Sequence, residues 1–412
     1  MSSTHNSQLT TADIEHREAP VQYRLFDLLC CPSCKGQVTT RVFQTAKRQP
    51  LESVKTTRCE ERCAYVEAGL GENSDCDACS TIEITEGLIN CTCGKTFPII
   101  NGVPRFLPED LQQELLNRYP QFFVNYERQI SQHLSEVQRD KVAQLKAQTM
   151  SSFGYEWNEF AEYDAQNFLE LIYPVEANYF SNKLGLDCGC GAGRHTQQAV
   201  TYGAEMVAMD LSWAVDAAYK KNLPTARAMV VQCDVFNLPF KAERFDFIYS
   251  LGVLHHTTNP PQSFDSLVPL LRPGGGIMVW IYSSTRKFVL FVLKLVRMVT
   301  LRLPNIMIKW VSFVAACLDY GLFIWPYKVL CKAPVLGRAV EAMAFPRIKG
   351  YAKYDFHVSY TDWFDRLSYP CVNYYSGDQV REWYERNGLI DLKISQTGPF
   401  AWRGFGIKPL IK

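Results

Sequence analysis

The fold is decided by the stretch Leu186-Asp187-Cys188-Gly189-Cys190-Gly191-Ala192-Gly193. It follows a short apolar run and precedes residues 194–200, which can form the first turns of a helix. Glycine at a strand-to-helix turn lets the backbone approach a ligand closely. The spacing differs from the Gly-x-Gly-x-x-Gly pattern of dinucleotide-binding turns. The stretch predicts a strand, a ligand-binding turn and a helix, with an ordinary glycine-rich turn as the alternative.

Further segments follow in the order that a parallel sheet requires. They are residues 205–210, 228–233, 245–256 and 271–282. The first ends in Asp210 and the second is followed by Asp234. The third predicts a buried strand that runs into a loop, and the fourth predicts a glycine-rich turn that leads into a strand. Ligands of open parallel sheets lie beyond the carboxyl ends of the strands, so both carboxylates are expected beside the ligand.

An acidic residue before Gly-x-Gly-x-Gly, with these later segments, resembles the motifs of the class I S-adenosylmethionine-dependent methyltransferases of the type 11-like group. The resemblance implies an α/β, Rossmann-like sheet with S-adenosylmethionine as the cofactor. It also implies that Asp187 faces the ammonium group of the cofactor, that Asp210 holds the ribose and that Asp234 lies near the adenine. The implied cofactor-binding residues are Asp187, Gly189, Cys190, Gly191, Gly193, Asp210, Leu211, Asp234, Val235, Ser250 and Leu251.

Few side chains are needed for the chemistry that this resemblance implies. A sulfonium methyl group is already activated, so the protein must mainly hold the acceptor in line and exclude water. A base is required only for an acceptor that is protonated at neutral pH. His255 and His256 follow the fourth strand and Tyr282 ends the fifth, which makes them the candidate catalytic residues. The alternative is that these rings only shape the pocket.

Nine of the fifteen cysteines lie between Cys30 and Cys93. Clustering of this kind favours metal binding over disulfides. A Cys-x-x-Cys pair and a Cys-x-Cys pair supply four thiolates, which predicts a closed structural zinc site. Its ligands are Cys31, Cys34, Cys91 and Cys93. Residues 93–107, with this first pair, resemble the zinc ribbon of Trm112-type proteins, whose free-standing members bind and activate methyltransferases.

An insert between the two pairs carries four more cysteines at knuckle spacing. They are Cys59, Cys63, Cys76 and Cys79. They predict a second structural zinc ion, and therefore two zinc ions per chain. The alternatives are exchange of ligands between the two sets and a redox pair.

The sequence divides into four parts. Residues 1–22 are polar and predict a disordered tail without a secretory signal, and residues 23–108 predict the ribbon with its insert. Residues 109–150 predict a linker of two helices, and residues 151–412 predict the methyltransferase domain. The aromatic segment at residues 152–160 has two interpretations of equal weight, a cap over the cofactor and a packing segment across the sheet edge.

Residues 283–355 interrupt the catalytic domain before its predicted last helix and hairpin. They hold twelve Lys and Arg residues against three acidic ones, and residues 306–325 are nearly all apolar. The favoured interpretation is a helical subdomain that caps the active site. A surface that contacts lipid, through residues 286–350, is the next, and a spanning helix is disfavoured because two charges interrupt the apolar run.

The motifs favour methyl transfer to a small-molecule or lipid- or sugar-linked metabolite. The loop Ser250-Leu251-Gly252-Val253 lacks the Asp/Asn-Pro-Pro-aromatic signature of enzymes that methylate amino groups of nucleic-acid bases. The alternative is a methyltransferase that acts on a base of ribosomal or transfer RNA, because the basic insertion could bind phosphates. A cofactor-binding scaffold without turnover is the third hypothesis. We expect a cytoplasmic enzyme that either stays in solution or lies on a membrane surface.

Overall fold

The computed structural model describes residues 21–47, 62–63, 68–69, 82–130, 140–159, 167–222, 227–333, 336–398 and 400–410. Residues 1–20 of the predicted tail lie outside these ranges. Val21 and Gln22 form a strand that pairs with the ribbon, so the ribbon begins two residues before the predicted boundary. Cys59, Cys76, Cys79 and the side chain of Cys63 also lie outside the description, and the second zinc site stays a prediction.

One twelve-stranded sheet joins the zinc ribbon to the catalytic domain, and β3 and β4 form a separate two-stranded sheet. The strands in chain order are β1 Val21–Gln22, β2 Val38–Lys47, β3 Arg62–Cys63, β4 Ala68–Gly69, β5 Ile82–Cys91, β6 Thr96–Ile100, β7 Val103–Phe106, β8 Leu184–Cys188, β9 Glu205–Asp210, β10 Ala228–Cys233, β11 Phe245–Leu251, β12 Leu271–Tyr282, β13 Ile390–Thr397 and β14 Ala401–Ile407.

The catalytic half of the sheet has the order β10-β9-β8-β11-β12-β14-β13. The five strands β10, β9, β8, β11 and β12 are parallel, and β14 runs antiparallel between β12 and β13. Every residue of β8 is buried, as expected of a central strand with both faces covered. The predicted α/β class with a Rossmann-like sheet is therefore confirmed.

Helices cover both faces of the sheet. In chain order they are α1 Gln112–Arg118, α2 Pro120–Asn125, α3 Lys141–Glu159, α4 Phe168–Leu171, α5 Arg194–Thr201, α6 Ala214–Asn222, α7 Pro260–Leu267, α8 Lys287–Thr300, α9 Asn305–Asp319, α10 Trp325–Leu330, α11 Leu336–Met343, α12 Pro346–Tyr351, α13 Phe356–Ser368 and α14 Gly377–Arg386. A π-helical turn at Tyr320–Ile324 makes α9 and α10 continuous.

The predicted linker and insertion both form helices. Helix α3 runs through the predicted boundary at residue 150, so the end of the linker and the start of the aromatic segment are one element. In the insertion, α8 and α9 both pack on α13. The last helix is α14, and a capping box formed by Ser376 and Gln379 stabilises its N-terminus.

The ribbon and the catalytic domain share the sheet through β7 and β10. These strands pair in parallel, with Gln232 opposite Arg105 and Cys233 opposite Phe106. Arg105 is fully buried and donates to Asp216 Oδ1 at 2.6 Å and to Gln232 Oε1 at 3.0 Å. Since a buried charge is tolerated only when it is paired, this network fixes the ribbon against α6 and β10.

We expect Arg105→Met to lower the free energy of unfolding by about 3 kcal/mol, because it leaves Asp216 and Gln232 short of a buried partner. Urea unfolding followed by tryptophan fluorescence measures the change. Arg118→Ala is the matched control: it removes a half-exposed guanidinium from the same carboxylate and should cost less than about 1 kcal/mol. Equal losses in the two variants would contradict the role given to the buried pair.

Candidate functional site

A cavity of about 980 Å³, including the space open to solvent, lies at the carboxyl ends of β8, β9, β10 and β11. We call it the cofactor cavity. Helix α3 covers it with Phe153 and Trp157. The predicted cofactor-binding residues that line it are Gly189, Cys190, Gly191, Asp210, Leu211, Asp234, Val235 and Leu251. The predicted motifs therefore converge on one pocket.

The turn after β8 is held by main-chain bonds to β9. The amides of Gly189 and Cys190 both donate to Met209 O, at 2.7 and 2.9 Å. Gly193 begins α5 with a φ of 77°, and a Cβ there would approach Asn222 Nδ2 to 2.3 Å. Gly193 does not line the cavity, so its contribution is to allow close packing of α5 on α6.

Asp187 lies behind the cavity wall. Its carboxylate accepts from Thr196 Oγ1 at 2.6 Å and from Tyr249 OH at 3.2 Å, and the side chain is buried. Burial raises the pKa of Asp187 to about 7, although the two hydrogen bonds act to lower it. In this structure Asp187 ties β8 to α5 and β11, whereas the resemblance implied a direct contact with the cofactor. Ser250 is also behind the wall and donates to Cys188 O at 2.8 Å.

Asp210 and Asp234 occupy the expected places at the ends of their strands. Asp210 accepts from the Gly191 amide at 2.9 Å and from the Ser212 amide at 2.8 Å, so it connects the glycine-rich turn to the start of α6. Asp234 accepts from Lys146 Nζ of α3 at 2.5 Å. Both carboxylates face the cofactor cavity.

A second and larger cavity, of about 1640 Å³ including open solvent, adjoins the first. We call it the acceptor chamber. It lies between β12, α3, α8, α12 and α13. The two cavities share a wall formed by Phe153, Trp157, Arg194, His195, Leu251 and Gly252. The two cavities therefore lie side by side.

Two of the three candidate catalytic residues line one of these two cavities. Tyr282 lines the acceptor chamber and donates to Asp365 Oδ2 at 2.5 Å. His256 lines the cofactor cavity, with Nδ1 at 3.0 Å from Cys371 O and Nε2 at 3.8 Å from Asp365 Oδ1. His255 is fully buried and stacks on the Tyr282 ring, with the ring centroids 3.9 Å apart. His255 therefore supports Tyr282 from behind.

The two histidines are neutral. Burial lowers the pKa of His256 to about 3 and that of His255 well below its usual value. A neutral His256 that donates Nδ1–H to the Cys371 carbonyl keeps a lone pair on Nε2. The lowered pKa makes that nitrogen a weak base, so His256 is better suited to shaping the boundary of the two cavities than to accepting a proton.

Glu156 is a functional candidate that the sequence interpretation missed. It lines the acceptor chamber from α3 and is 3% exposed, and its Oε2 has no hydrogen-bond partner among the described residues. Burial raises its pKa well above the usual value, and the charges of Asp365 and Asp362 raise it further. Burial of a carboxyl oxygen without a hydrogen-bond partner costs free energy of folding. This cost marks Glu156 as a candidate binding or proton-transfer group.

No motif in the sequence singles out Glu156, because α3 precedes the first recognised strand. The only signal was its position in the aromatic segment at residues 152–160. The structure favours the first interpretation of that segment, since Phe153 and Trp157 lie over the cofactor cavity.

The ribbon brings together the first set of predicted zinc ligands. The sulfur atoms of Cys31, Cys34, Cys91 and Cys93 all lie within 4.8 Å of one another. The Sγ atoms of Cys31 and Cys93 are 3.6 Å apart, and those of Cys34 and Cys91 are 3.4 Å apart. Tetrahedral zinc with Zn–S bonds of about 2.3 Å requires S···S separations of about 3.8 Å, so this donor set fits a structural ion.

We expect Asp210→Ala to weaken binding of S-adenosylmethionine at least tenfold, or about 1.4 kcal/mol, because it removes both a ligand-facing carboxylate and the anchor of the Gly191 amide. Isothermal titration calorimetry measures the affinity. Glu382→Ala, at an exposed position of α14, is the control and should leave the affinity unchanged. An unchanged affinity in Asp210→Ala would refute the assignment of the cofactor cavity.

Known proteins resemble this chain over parts of its length. A bifunctional biotin biosynthesis protein, BioHC, of Cellvibrio japonicus is 37% identical over 90 residues, which are 22% of this chain and 18% of that protein. The tRNA U34 carboxymethyltransferase of Hahella chejuensis is 35% identical over 98 residues, 23% of this chain and 30% of that protein. The ubiquinone biosynthesis O-methyltransferase of Coxiella burnetii is 29% identical over 115 residues, 26% of this chain and 49% of that protein. The chain thus spans at most about half the length of each relative.

Two protein families match separate parts of the chain. Residues 186–279 match the family described as a methyltransferase domain, and they contain the glycine-rich turn and strands β8 to β11. Residues 22–102 match the family described as Trm112p-like protein, and they contain the four clustered cysteines. The chain therefore carries a methyltransferase domain of the S-adenosylmethionine-dependent kind, joined within one polypeptide to a Trm112p-like domain.

Proposed function

We propose that this protein transfers the methyl group of S-adenosylmethionine to a small-molecule or lipid- or sugar-linked metabolite held in the acceptor chamber. The observation that carries the proposal is the wall shared by the cofactor cavity and the acceptor chamber. Two adjoining sites would bring the methyl donor and the acceptor close together, which methyl transfer requires.

The residues of the cofactor cavity fit the proposed cofactor. The glycine-rich turn gives room for the amino-acid portion, Asp210 offers carboxylate oxygens to ribose hydroxyls, and Asp234 faces the region assigned to adenine. When bound, S-adenosylmethionine supplies an activated methyl group. The protein then has to position the acceptor and manage its proton.

Two groups that line the acceptor chamber are candidates for handling that proton. Glu156 offers a carboxyl group, and Tyr282 is oriented by its hydrogen bond to Asp365. His256 is too weak a base for this role, because burial lowers its pKa to about 3. Of the two candidates, Glu156 has a buried oxygen, Oε2, with no hydrogen-bond partner among the described residues. We assign it the contact with the nucleophilic atom of the acceptor.

The chamber is suited to a polar acceptor that carries charge. Five cationic and four acidic side chains line it. They are Arg194, Arg286, Arg297, Lys353 and Arg366, and Glu156, Glu170, Asp362 and Asp365. Leu290 and Leu293 of α8 supply an apolar side. A polar group joined to an apolar portion matches this mixture, which supports the lipid- or sugar-linked class.

Methylation of a transfer or ribosomal RNA base is the second candidate. Two observations favour it: the basic insertion, and the similarity to a tRNA U34 carboxymethyltransferase over 98 residues. Binding through phosphates would weaken steeply as the salt concentration rises, whereas binding of a small metabolite would not. Transfer of labelled methyl groups to total tRNA, at low and moderate salt, distinguishes this candidate from the first.

The decisive experiment for the proposed function is methyl transfer by Glu156→Gln. The substitution keeps the shape of the side chain but removes its proton chemistry, so we expect turnover to fall at least about tenfold. Affinity for S-adenosylmethionine should stay within about twofold. Labelled cofactor with lipid and metabolite extracts as acceptors measures turnover, and calorimetry measures affinity.

Glu159→Gln is the matched control for this variant, because Glu159 lies on the same helix, is 40% exposed and pairs with Lys309. It should retain wild-type turnover. Cofactor binding by the native protein without transfer to any acceptor would refute the proposed function and favour a cofactor-binding scaffold.

We also propose that the chain binds two structural zinc ions. Elemental analysis of the purified protein should give two equivalents of zinc. The double variant Cys31→Ser/Cys34→Ser and the double variant Cys59→Ser/Cys63→Ser should each lose one of them, because each removes half of a four-thiolate set. A single equivalent in the native protein would refute the second site.

A further inference from the structure

The insertion carries a concentrated apolar surface. Of the 29 exposed large apolar side chains in the described residues, 23 lie between Phe288 and Phe345. Scattered apolar side chains on a surface need no explanation, whereas a concentration of them marks an interaction surface. We use the name apolar face for the exposed apolar side chains of α8, α9, the π-helical turn and α10, of which α8 and α9 both pack on α13. It includes Phe288, Phe291, Leu295, Met298, Val299, Ile306, Trp310, Val314, Leu318, Leu322, Phe323 and Trp325.

Helix α8 is attached to the protein by one narrow stripe. Its less exposed residues are Leu290, Leu293, Arg297 and Thr300, which recur at helical spacing. Arg297 Nε donates to Arg366 O at 2.8 Å and Thr300 Oγ1 donates to Leu367 O at 2.7 Å, so this stripe faces α13. Apart from Lys287 and Lys294, the rest of the helix is apolar and exposed, which is the reverse of an ordinary surface helix.

Helix α9 is attached in the same way. Its buried residues are Ile308, Ser312, Ala316 and Asp319. Asp319 accepts hydrogen bonds from Arg347 and from Trp363 Nε1, the latter at 3.2 Å. These polar contacts hold the helix along the protein.

The continuous helix Asn305–Leu330 is, by length and composition, long and apolar enough to cross a membrane, with 22% of its apolar window buried. Crossing would place Asp319 in hydrocarbon without Arg347, which is costly. Lying flat keeps Asp319 paired and leaves the apolar face available. The geometry therefore favours a helix that lies in an interface over one that spans a bilayer.

The charges beside the apolar face indicate what covers it. Among the described residues between 286 and 345, the exposed cationic ones are Lys287, Lys294, Arg302, Lys332 and Arg338, and the single exposed acidic one is Glu341. Trp310 and Trp325 are 65% and 58% exposed, and tryptophan is enriched where a membrane meets water. Cations and aromatic rings around an apolar surface complement anionic lipid headgroups.

We propose that the apolar face of α8, α9 and α10 docks into the interfacial layer of an anionic lipid membrane. Docking places α8 between the bilayer and the acceptor chamber, because Leu290, Leu293 and Arg297 of the same helix line that chamber. An acceptor anchored in the bilayer would then reach the chamber along α8. This last step rests on the proposed function, whereas the docking does not.

Vesicle flotation of the full-length, zinc-loaded protein tests the proposal. Vesicles of phosphatidylcholine with phosphatidylglycerol should carry the protein upward, and vesicles of phosphatidylcholine alone should carry less. The triple variant Phe291→Glu/Trp310→Glu/Leu322→Glu should reduce binding at least about tenfold, because it places three charges on the apolar face. The three side chains are 59%, 65% and 64% exposed, so the fold should tolerate the changes.

Val124→Glu is the control, since Val124 is 68% exposed on α2, outside the insertion. It should bind vesicles like the native protein. The double variant Lys287→Glu/Lys294→Glu should reduce binding to the anionic vesicles but not to vesicles of phosphatidylcholine. Calorimetric titration with S-adenosylmethionine accompanies each variant, so loss of cofactor binding is recognised as a failure of the proposed function or of folding.

Three results would overturn the proposal. The native protein does not float with anionic vesicles, or the triple variant floats as well as the native protein. In the third, sedimentation shows a dimer of the native protein that does not float and that the triple variant dissociates, which would assign the apolar face to a second copy of the chain.

Discussion

The buried guanidinium of Arg105 connects the two domains of this protein. It belongs to the ribbon strand β7, yet its partners Asp216 and Gln232 belong to the catalytic domain. Gln232 in turn donates to the carbonyl of Leu211 at 2.9 Å, beside Asp210 at the end of β9. A chain of hydrogen bonds therefore runs from the ribbon to the wall of the cofactor cavity. The position of the ribbon and the shape of that wall depend on each other.

The same junction gives the four clustered thiolates of the ribbon a structural role. Strand β10 would be an exposed edge of the parallel sheet if β7 did not pair with it, and such edges are prone to unwanted pairing. The ribbon that supplies β7 is small, and four clustered thiolates can stabilise it through one ion. A metal ion bound there would thereby support a strand of the catalytic sheet.

Local pattern was sufficient to predict the parallel strands, the glycine-rich turn and the first cysteine cluster, because each depends on short-range spacing. Local pattern could not predict the residues whose role depends on tertiary packing. Asp187 has the expected place in sequence but lies behind the cavity, since Thr196 and Tyr249 hold its carboxylate. Glu156 was not predicted because its environment is assembled from α3 and α13, which are far apart in the chain. The burial of Arg105 likewise depends on a partner strand more than a hundred residues away.

Helix α3 serves two sites at once. Lys146 and Phe153 lie in the cofactor cavity, and Glu156 lies in the acceptor chamber three residues further on. A single rigid helix cannot shift on one side and stay fixed on the other. A ligand that holds α3 in place in either site therefore raises the affinity of the other site, and thermodynamic reciprocity makes the two increases equal. Cofactor and acceptor should consequently bind cooperatively, through a helix that both of them contact.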